Sequence, residues 1–256
     1  MKINVIMAPC LLNESVASDG NQLCILIDVL RATTTITTAL DSGAAEIYPC
    51  VNIAEVSAYL ESNPGVDYLV GGEARGESIP GFDLGNSPFE YMDTAEINGK
   101  TILLTTSNGT PLIRKAYEIT QQPVYLAAMI NLSAVSAITI NKALNEREPN
   151  VTIICSGRYG NTSLEDTLCA GLIAEKVKEG LLAVGGSVIM SDSAIFAGCF
   201  ARKHQNLIFD LVSESEAGRF LHDTGFARDV RFCCRTDISR TVPVFVGSRI
   251  IASDRA

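Results

Sequence analysis

The chain has 256 residues, 47% of them apolar and 19% charged, and carries a formal net charge of −9. That balance suits a globular protein with a sizeable core, while an acidic chain with no Lys/Arg cluster is poorly built to neutralise the phosphates of a nucleic acid. No apolar run approaches the ~18 residues of a membrane span, and two histidines leave little material for a His-based metal site or a Ser-His-Asp triad.

The opening, M-K-I-N-V-I-M-A-P-C, has too short an apolar run before Pro9 for a signal peptide. Eight cysteines are scattered, several inside apolar runs (Cys24, Cys155, Cys169, Cys199), and Cys233–Cys234 is a vicinal pair rather than C-x-x-C. In a chain of this length the pattern favours core packing in a reducing compartment over a disulfide framework, so a cytoplasmic location is expected.

Taken in chain order, strand-like runs occur at residues 3–7, 23–27, 46–48, 68–70, 101–105, 124–126 and 151–155. Helix-like segments fall at 53–62, 111–119, 133–145, 164–179, 193–204 and 214–222, and the Thr-rich stretch after Asp28 reads as a further helix stopped by Gly43. The run 23–27 is wholly apolar, as in a strand buried on both faces of a parallel sheet. The end, V-P-V-F-V-G-S-R-I-I-A, reads as two short antiparallel strands around Gly247–Ser248. Alternation of this kind predicts a three-layer αβα fold with a mostly parallel sheet. Residues 1–256 are expected to form one α/β domain, with room for two lobes around a central cleft; a homo-oligomer is compatible with this reading.

One segment breaks the alternation. Residues 71–91, G-G-E-A-R-G-E-S-I-P-G-F-D-L-G-N-S-P-F-E-Y, hold five Gly and two Pro, which neither a long helix nor a central strand tolerates. A long irregular stretch in a compact domain is usually functional or disordered, and Phe82, Leu84, Phe89 and Tyr91 give this one apolar anchors.

Four predicted strand ends carry polar groups at the edge where open α/β sheets place their ligands. Asp28 ends the first, with Arg31 three residues on; the competing reading of Asp28 is a helix cap. Glu73 and Arg75 open the Gly-rich segment after the strand at 68–70, where a solvated charged turn is the alternative. Ser107, Asn108 and Thr110 precede Pro111, with Thr110 read as the N-cap and Pro111 as the first helical residue; such a helix start can hold an anion without added charge. An ordinary capped turn explains that pattern equally well. Ser156 and Arg158 follow the strand at 151–155, and Thr162 with Glu165 has the spacing of a capping box for a helix ended by Gly180. Asp166 in that helix's first turn has the macrodipole as a sufficient explanation, whereas a guanidinium between glycines suits bidentate grip on a phosphate or sulfonate. Together the ends offer three acids, Asp28, Glu73 and Asp166, beside Arg31, Arg75 and Arg158. Hard oxygen donors without His or Cys suggest Mg²⁺, and Mg²⁺ beside an anion cleft suggests phosphoryl transfer to water.

The set D-V-L-R-A-T at 28–33, G-G-E-A-R-G at 71–76, G-F-D-L-G-N-S-P at 81–88, T-T-S-N-G-T at 105–110, C-S-G-R at 155–158 with E-D at 165–166, and R-F-C-C-R-T-D with V-P at 242–243 resembles the 2-phosphosulfolactate phosphatase family. The resemblance runs through nearly the whole chain in order. It implies an α/β, Mg²⁺-dependent phosphatase releasing phosphate from 2-phospho-3-sulfolactate on the way to coenzyme M. D-V-L-R lacks the second Asp of the D-x-D motif of haloacid-dehalogenase phosphatases, so attack by water and attack by Asp28 both stay open. On this reading Asp28, Glu73 and Asp166 hold the metal, Asp28, Arg31, Glu73 and Asp166 carry the catalysis, and Arg75, Ser107, Asn108, Thr110, Ser156, Arg158 and Arg235 bind the small, multiply anionic phosphoester. The alternatives are the same chemistry on another small phosphorylated acid, or a non-catalytic anion-binding protein. A pure anion binder has no need of three acids among its arginines.

Overall fold

The computed structural model describes residues 1–13, 22–145 and 150–255. Its strands are β1 (Lys2–Ile6), β2 (Gln22–Ile27), β3 (Glu46–Cys50), β4 (Tyr68–Ala74), β5 (Glu77–Ser78), β6 (Thr101–Thr105), β7 (Val124–Ala127), β8 (Asn150–Cys155), β9 (Ile189–Met190), β10 (Pro243–Val246) and β11 (Arg249–Ala252). The helices are α1 (Ala32–Asp41), α2 (Ile53–Ser62), α3 (Thr94–Ile97), α4 (Gly109–Thr120), α5 (Leu132–Asn145), α6 (Leu164–Ala183), α7 (Asp192–His204), α8 (Ile208–Ser213), α9 (Glu216–Asp223) and α10 (Ala227–Cys233). Among the described residues none is long and apolar enough to cross a membrane.

One sheet takes all the strands, in the order β5-β4-β6-β3-β11-β10-β7-β2-β8-β1-β9. Two parallel blocks, β4-β6-β3 and β7-β2-β8-β1-β9, are joined by the β10–β11 hairpin, which is antiparallel to the strands on either side of it. The hairpin expected around Gly247–Ser248 thus forms, and it bridges the two blocks. The sheet is continuous from edge to edge, so the two-lobe option finds no break in it.

The expectation of a doubly buried strand holds for β2, whose six residues are all buried. Leu23, Ile25 and Ile27 enter the core on one face with Leu168, Ile173 and Ala194 of α6 and α7. Cys24 and Leu26 enter the other with Ile36 and Ile113 of α1 and α4. Side chains alternate along a strand, so an all-apolar run can serve two cores at once. At ~25 cal/mol per Å² of apolar surface buried, each such side chain contributes about 1.5–3 kcal/mol.

Three local expectations need correction. Helix α4 begins at Gly109 rather than Pro111; Thr110 lies inside it, exchanging hydrogen bonds with Thr106 instead of capping. Ser163, not Thr162, precedes α6, and no side-chain cap forms there. Gly180 does not end α6, which continues to Ala183; a Cβ at Gly180 would lie 2.4 Å from Ile140, so close helix packing accounts for the glycine. The short elements β5, β9, α3, α8 and α10 lack enough periodic residues to register in the sequence.

Candidate active site

The carboxyl ends of β2, β4, β6 and β8 open into one pocket lined by Asp28, Arg31, Glu73, Ser107, Asn108 and Arg158, among others. In sheet order β6 and β2 are five places apart, about 24 Å in a flat sheet at ~4.8 Å per strand. Yet a Cβ on Gly109, just past β6, would lie 2.7 Å from Asp28 Oδ2 and 2.6 Å from Ala32 Cβ. The four steps from Thr105 to Gly109 reach ~14 Å at most, so twist and coiling of the sheet account for the rest of the approach. Only glycine admits this approach of α4 to Asp28.

Asp28 is buried, and its Oδ1 accepts from the Ala32 amide at 3.2 Å. Burial pushes its carboxyl up to about 6, with the charges of Glu73 and Glu165 adding to the rise; the Ser156 hydroxyl and the Ala32 amide oppose it. Capping of α1 therefore uses one oxygen and leaves Oδ2 toward Gly109 and the pocket. The capping reading and a chemical role are compatible for this residue.

Glu73 is buried and lines the pocket as well. Its Oε1 accepts from the Ser107 amide at 2.7 Å, and its Oε2 from the Ser107 hydroxyl at 2.9 Å and the Gly76 amide at 2.5 Å. One carboxylate thus ties the β4–β5 turn to the loop after β6. Ser107 Oγ in turn accepts from the Arg75 amide at 2.7 Å, and Asn108 Oδ1 from the Tyr159 amide at 3.3 Å, which brings in the loop after β8.

Asp166 does not line the pocket. Its Oδ1 accepts from the Val29 amide at 2.8 Å and its Oδ2 from the Gly157 amide at 2.9 Å, so it fastens the loops after β2 and β8 together. Burial, with Glu165 and Asp28 nearby, holds its carboxyl well above the usual range. Among the described residues no three His, Cys, Asp or Glu side chains gather into a ready-made metal cage.

The four predicted arginines are in different situations. Arg31 is buried, its Nη1 2.6 Å from Asp229 Oδ2 and its guanidinium 4.3 Å from the centre of the Phe226 ring. Arg158 lies between two rings, 4.6 Å from Phe220 and 5.0 Å from Tyr159, with no ion pair among the described residues. Arg75 has φ 57° at the tip of the β4–β5 turn and is exposed, outside the pocket lining. Arg235 is exposed beyond α10, against the Phe232 ring, and is not brought to the pocket either. Thr110 is buried in the first turn of α4, and Ser156 is buried near the Asp28 carboxyl.

Sequence reasoning passed over several lining residues: Asn86, Thr106, Tyr159, Phe220 and Leu221. Asn86 is buried with its side-chain oxygen unpartnered. Its signal was present in G-F-D-L-G-N-S-P, an irregular segment with a polar pair between glycine and proline. Phe220 and Leu221 left none, because they reach the pocket from α9, far along the chain.

Comparison with known proteins matches residues 8–248 to the family described as 2-phosphosulpholactate phosphatase. A "Probable 2-phosphosulfolactate phosphatase" of Symbiobacterium thermophilum is 36% identical over 232 residues, 91% of this chain and 94% of that protein. Proteins of the same name from Pseudothermotoga lettingae (38% over 230 residues, covering 90% and 92%) and Thermotoga petrophila (36% over 252 residues, covering 98% and 99%) are similar over nearly their whole length.

Proposed function

This chain belongs to the 2-phosphosulfolactate phosphatase family, whose members are phosphoric monoester hydrolases, and we propose that it hydrolyses 2-phospho-3-sulfolactate to 3-sulfolactate and phosphate with Mg²⁺. The observation that carries the reading is the convergence of four strand ends on one pocket holding Asp28, Glu73 and the guanidinium of Arg158. The step serves coenzyme M formation in the cytoplasm on this proposal.

The pocket suits a hard divalent cation. Asp28 and Asn86 line it, Asn86 with a buried and unpartnered Oδ1, and the lining residues include no His or Cys, which matches the oxygen preference of Mg²⁺. Asp28 and Asn86 would hold the ion, with Glu73 beside them; Asp166 keeps the two loops in register instead of ligating. When bound, the cation neutralises charge on the phosphoryl oxygens.

The remaining roles fall to the chain itself. Arg158 makes no ion pair among the described residues, although its charge acts on the nearby buried Glu165, and its guanidinium can grip phosphate or sulfonate through two N–H groups. The N-terminus of α4, starting at Gly109 beside Asp28, adds the positive end of its dipole there, although the Thr110 amide is already bonded to Thr106 and Pro111 has none to give. A protein with net charge −9 needs such local positive potential to admit a multiply anionic ester. On this proposal Asp28 takes a proton from an attacking water. As the water oxygen bonds to phosphorus, the P–O bond to the lactate oxygen breaks, and that oxygen takes up a proton from solvent water.

The test is phosphate release from 2-phosphosulfolactate and from phospholactate, which lacks the sulfonate, with Mg²⁺ and after exhaustive chelation. Turnover should vanish on chelation, return with Mg²⁺, and favour the sulfonated substrate. Full activity in chelator would remove the metal from the proposal. Absence of release from either ester would remove the phosphatase reading.

A further inference from the structure

Asp229 is a buried acid that no pocket chemistry accounts for. It lies on α10, outside the pocket lining. Its Oδ2 accepts from Arg31 Nη1 at 2.6 Å and its Oδ1 from the Ser87 hydroxyl at 2.8 Å, across 198 and 142 residues of sequence. Arg31 lines the pocket, and Ser87 is next to Asn86, which also lines it and has a buried, unpartnered oxygen. Phe226, three residues before Asp229, covers the guanidinium face at 4.3 Å.

Stability alone is a weak reason for this arrangement. A buried ion pair is often no more stabilising than well-packed apolar residues of the same volume, because both charges must leave water. Geometry is what it supplies. A guanidinium held at one nitrogen by a carboxylate and on one face by a ring has its remaining N–H groups aimed in a fixed direction. The same carboxylate holds the Asn86–Ser87 corner.

We propose that Asp229 is a positioning residue of the active site: it fixes Arg31 and the Asn86–Ser87 corner in the geometry that the reaction uses. This rests on the phosphatase reading for its turnover arm. Arg31's charge is then largely neutralised in place, so its contribution is directional hydrogen bonding, and Arg158 supplies the net positive charge for the incoming anion.

A double-mutant cycle tests it, with Arg31→Met and Asp229→Asn singly and together. Met is neutral and similar in length, so the double variant leaves no charge buried alone. Two quantities are read: kcat and KM for 2-phosphosulfolactate, and the affinity for inorganic phosphate by calorimetry, with thermal melts alongside. Misaiming a group by about 1 Å costs about a hundredfold in rate, so Asp229→Asn should lower kcat by that order with a smaller change in KM. The double variant should be no worse than Arg31→Met alone. Multiplying losses, or wild-type kcat in Asp229→Asn, would overturn the proposal.

Should Asp229→Asn lack a cooperative melt, Ser87→Ala decides, since it removes one hydrogen bond and spares the ion pair. A fall of about fivefold in kcat is expected from the loss of a bond of ~1 kcal/mol that aligns the corner; unchanged kcat overturns. If the wild type releases no phosphate from any ester, the phosphatase reading fails, and the phosphate-affinity cycle still judges Asp229. Coupled losses of affinity support it and additive ones overturn it.

Discussion

Asp28 is an acid whose burial works against its own ionisation, and that has a consequence for stability. Its carboxyl is pushed from an ordinary 3.8 up to about 6, chiefly by desolvation. Between those values the folded chain binds more protons at this site than the unfolded chain does, so stability must fall as pH rises through the window. Two units correspond to on the order of 2–3 kcal/mol. Other carboxylates titrate over the same range, so the comparison is with Asp28→Asn, which is neutral throughout. In chelator, urea denaturation should show the wild type losing ground to the variant between pH 4 and pH 6.5, with the gap narrowing when Mg²⁺ is added. A difference that does not change with pH would mean that Asp28 is not held neutral by its surroundings. Asp28→Asn should also abolish turnover, and near-normal activity would return the residue to capping alone.

At the scale of elements, the junction of β4 with the loop after β6 is where backbone shape limits substitution. Gly72 has φ 138°, and its amide donates to the carbonyls of Leu84 and Gly85 at 3.1 and 3.0 Å. A Cβ there would lie 1.9 Å from the Thr105 carbonyl oxygen. Gly81 also has a positive φ, of 86°, but a Cβ there meets nothing within 4 Å. Gly81→Ala should therefore cost only backbone strain, about 1 kcal/mol, whereas Gly72→Ala adds a clash with main chain worth about 1–3 kcal/mol more. Activity should fall in Gly72→Ala as well, because Glu73 follows directly and holds Ser107. Equal losses in urea midpoint for the two variants would show that the strand junction yields freely.

For the molecule as a whole, the β10–β11 hairpin governs cooperativity. It supplies the hydrogen bonds joining β3 to β7, and Phe245 at its centre is fully buried against the Tyr117 ring at 5.3 Å, edge to face. One continuous sheet with a core on each face leaves no weak seam between its halves. Unfolding followed by far-ultraviolet and by tyrosine near-ultraviolet circular dichroism should give coincident transitions. Phe245→Ala should lower the stability of that single transition by about 3–5 kcal/mol. Two separated transitions would show that the parallel blocks fold independently.

How far the sequence reaches can be traced through particular residues. Local patterns carried the αβα class, the doubly buried β2, the closing hairpin and the four polar strand ends, because burial writes periodicity and glycine marks turns within a few residues. They also brought Asp28, Arg31, Glu73, Ser107, Asn108 and Arg158 to one place, through the rule that ligands gather at the carboxyl edge. The start of α4 was misread by two residues and the cap of α6 by one, while the start of α6 at Leu164 was read correctly; several small polar side chains at both places could cap equally well. Tertiary structure alone decided that Asp166 spends both oxygens on backbone amides and that Arg75 and Arg235 face outward. It alone brought Phe220 and Asp229 to the site from helices late in the chain. Those outcomes depend on how the sheet coils and where α9 and α10 settle against it. Contacts between residues nearly 200 positions apart leave no periodicity to read.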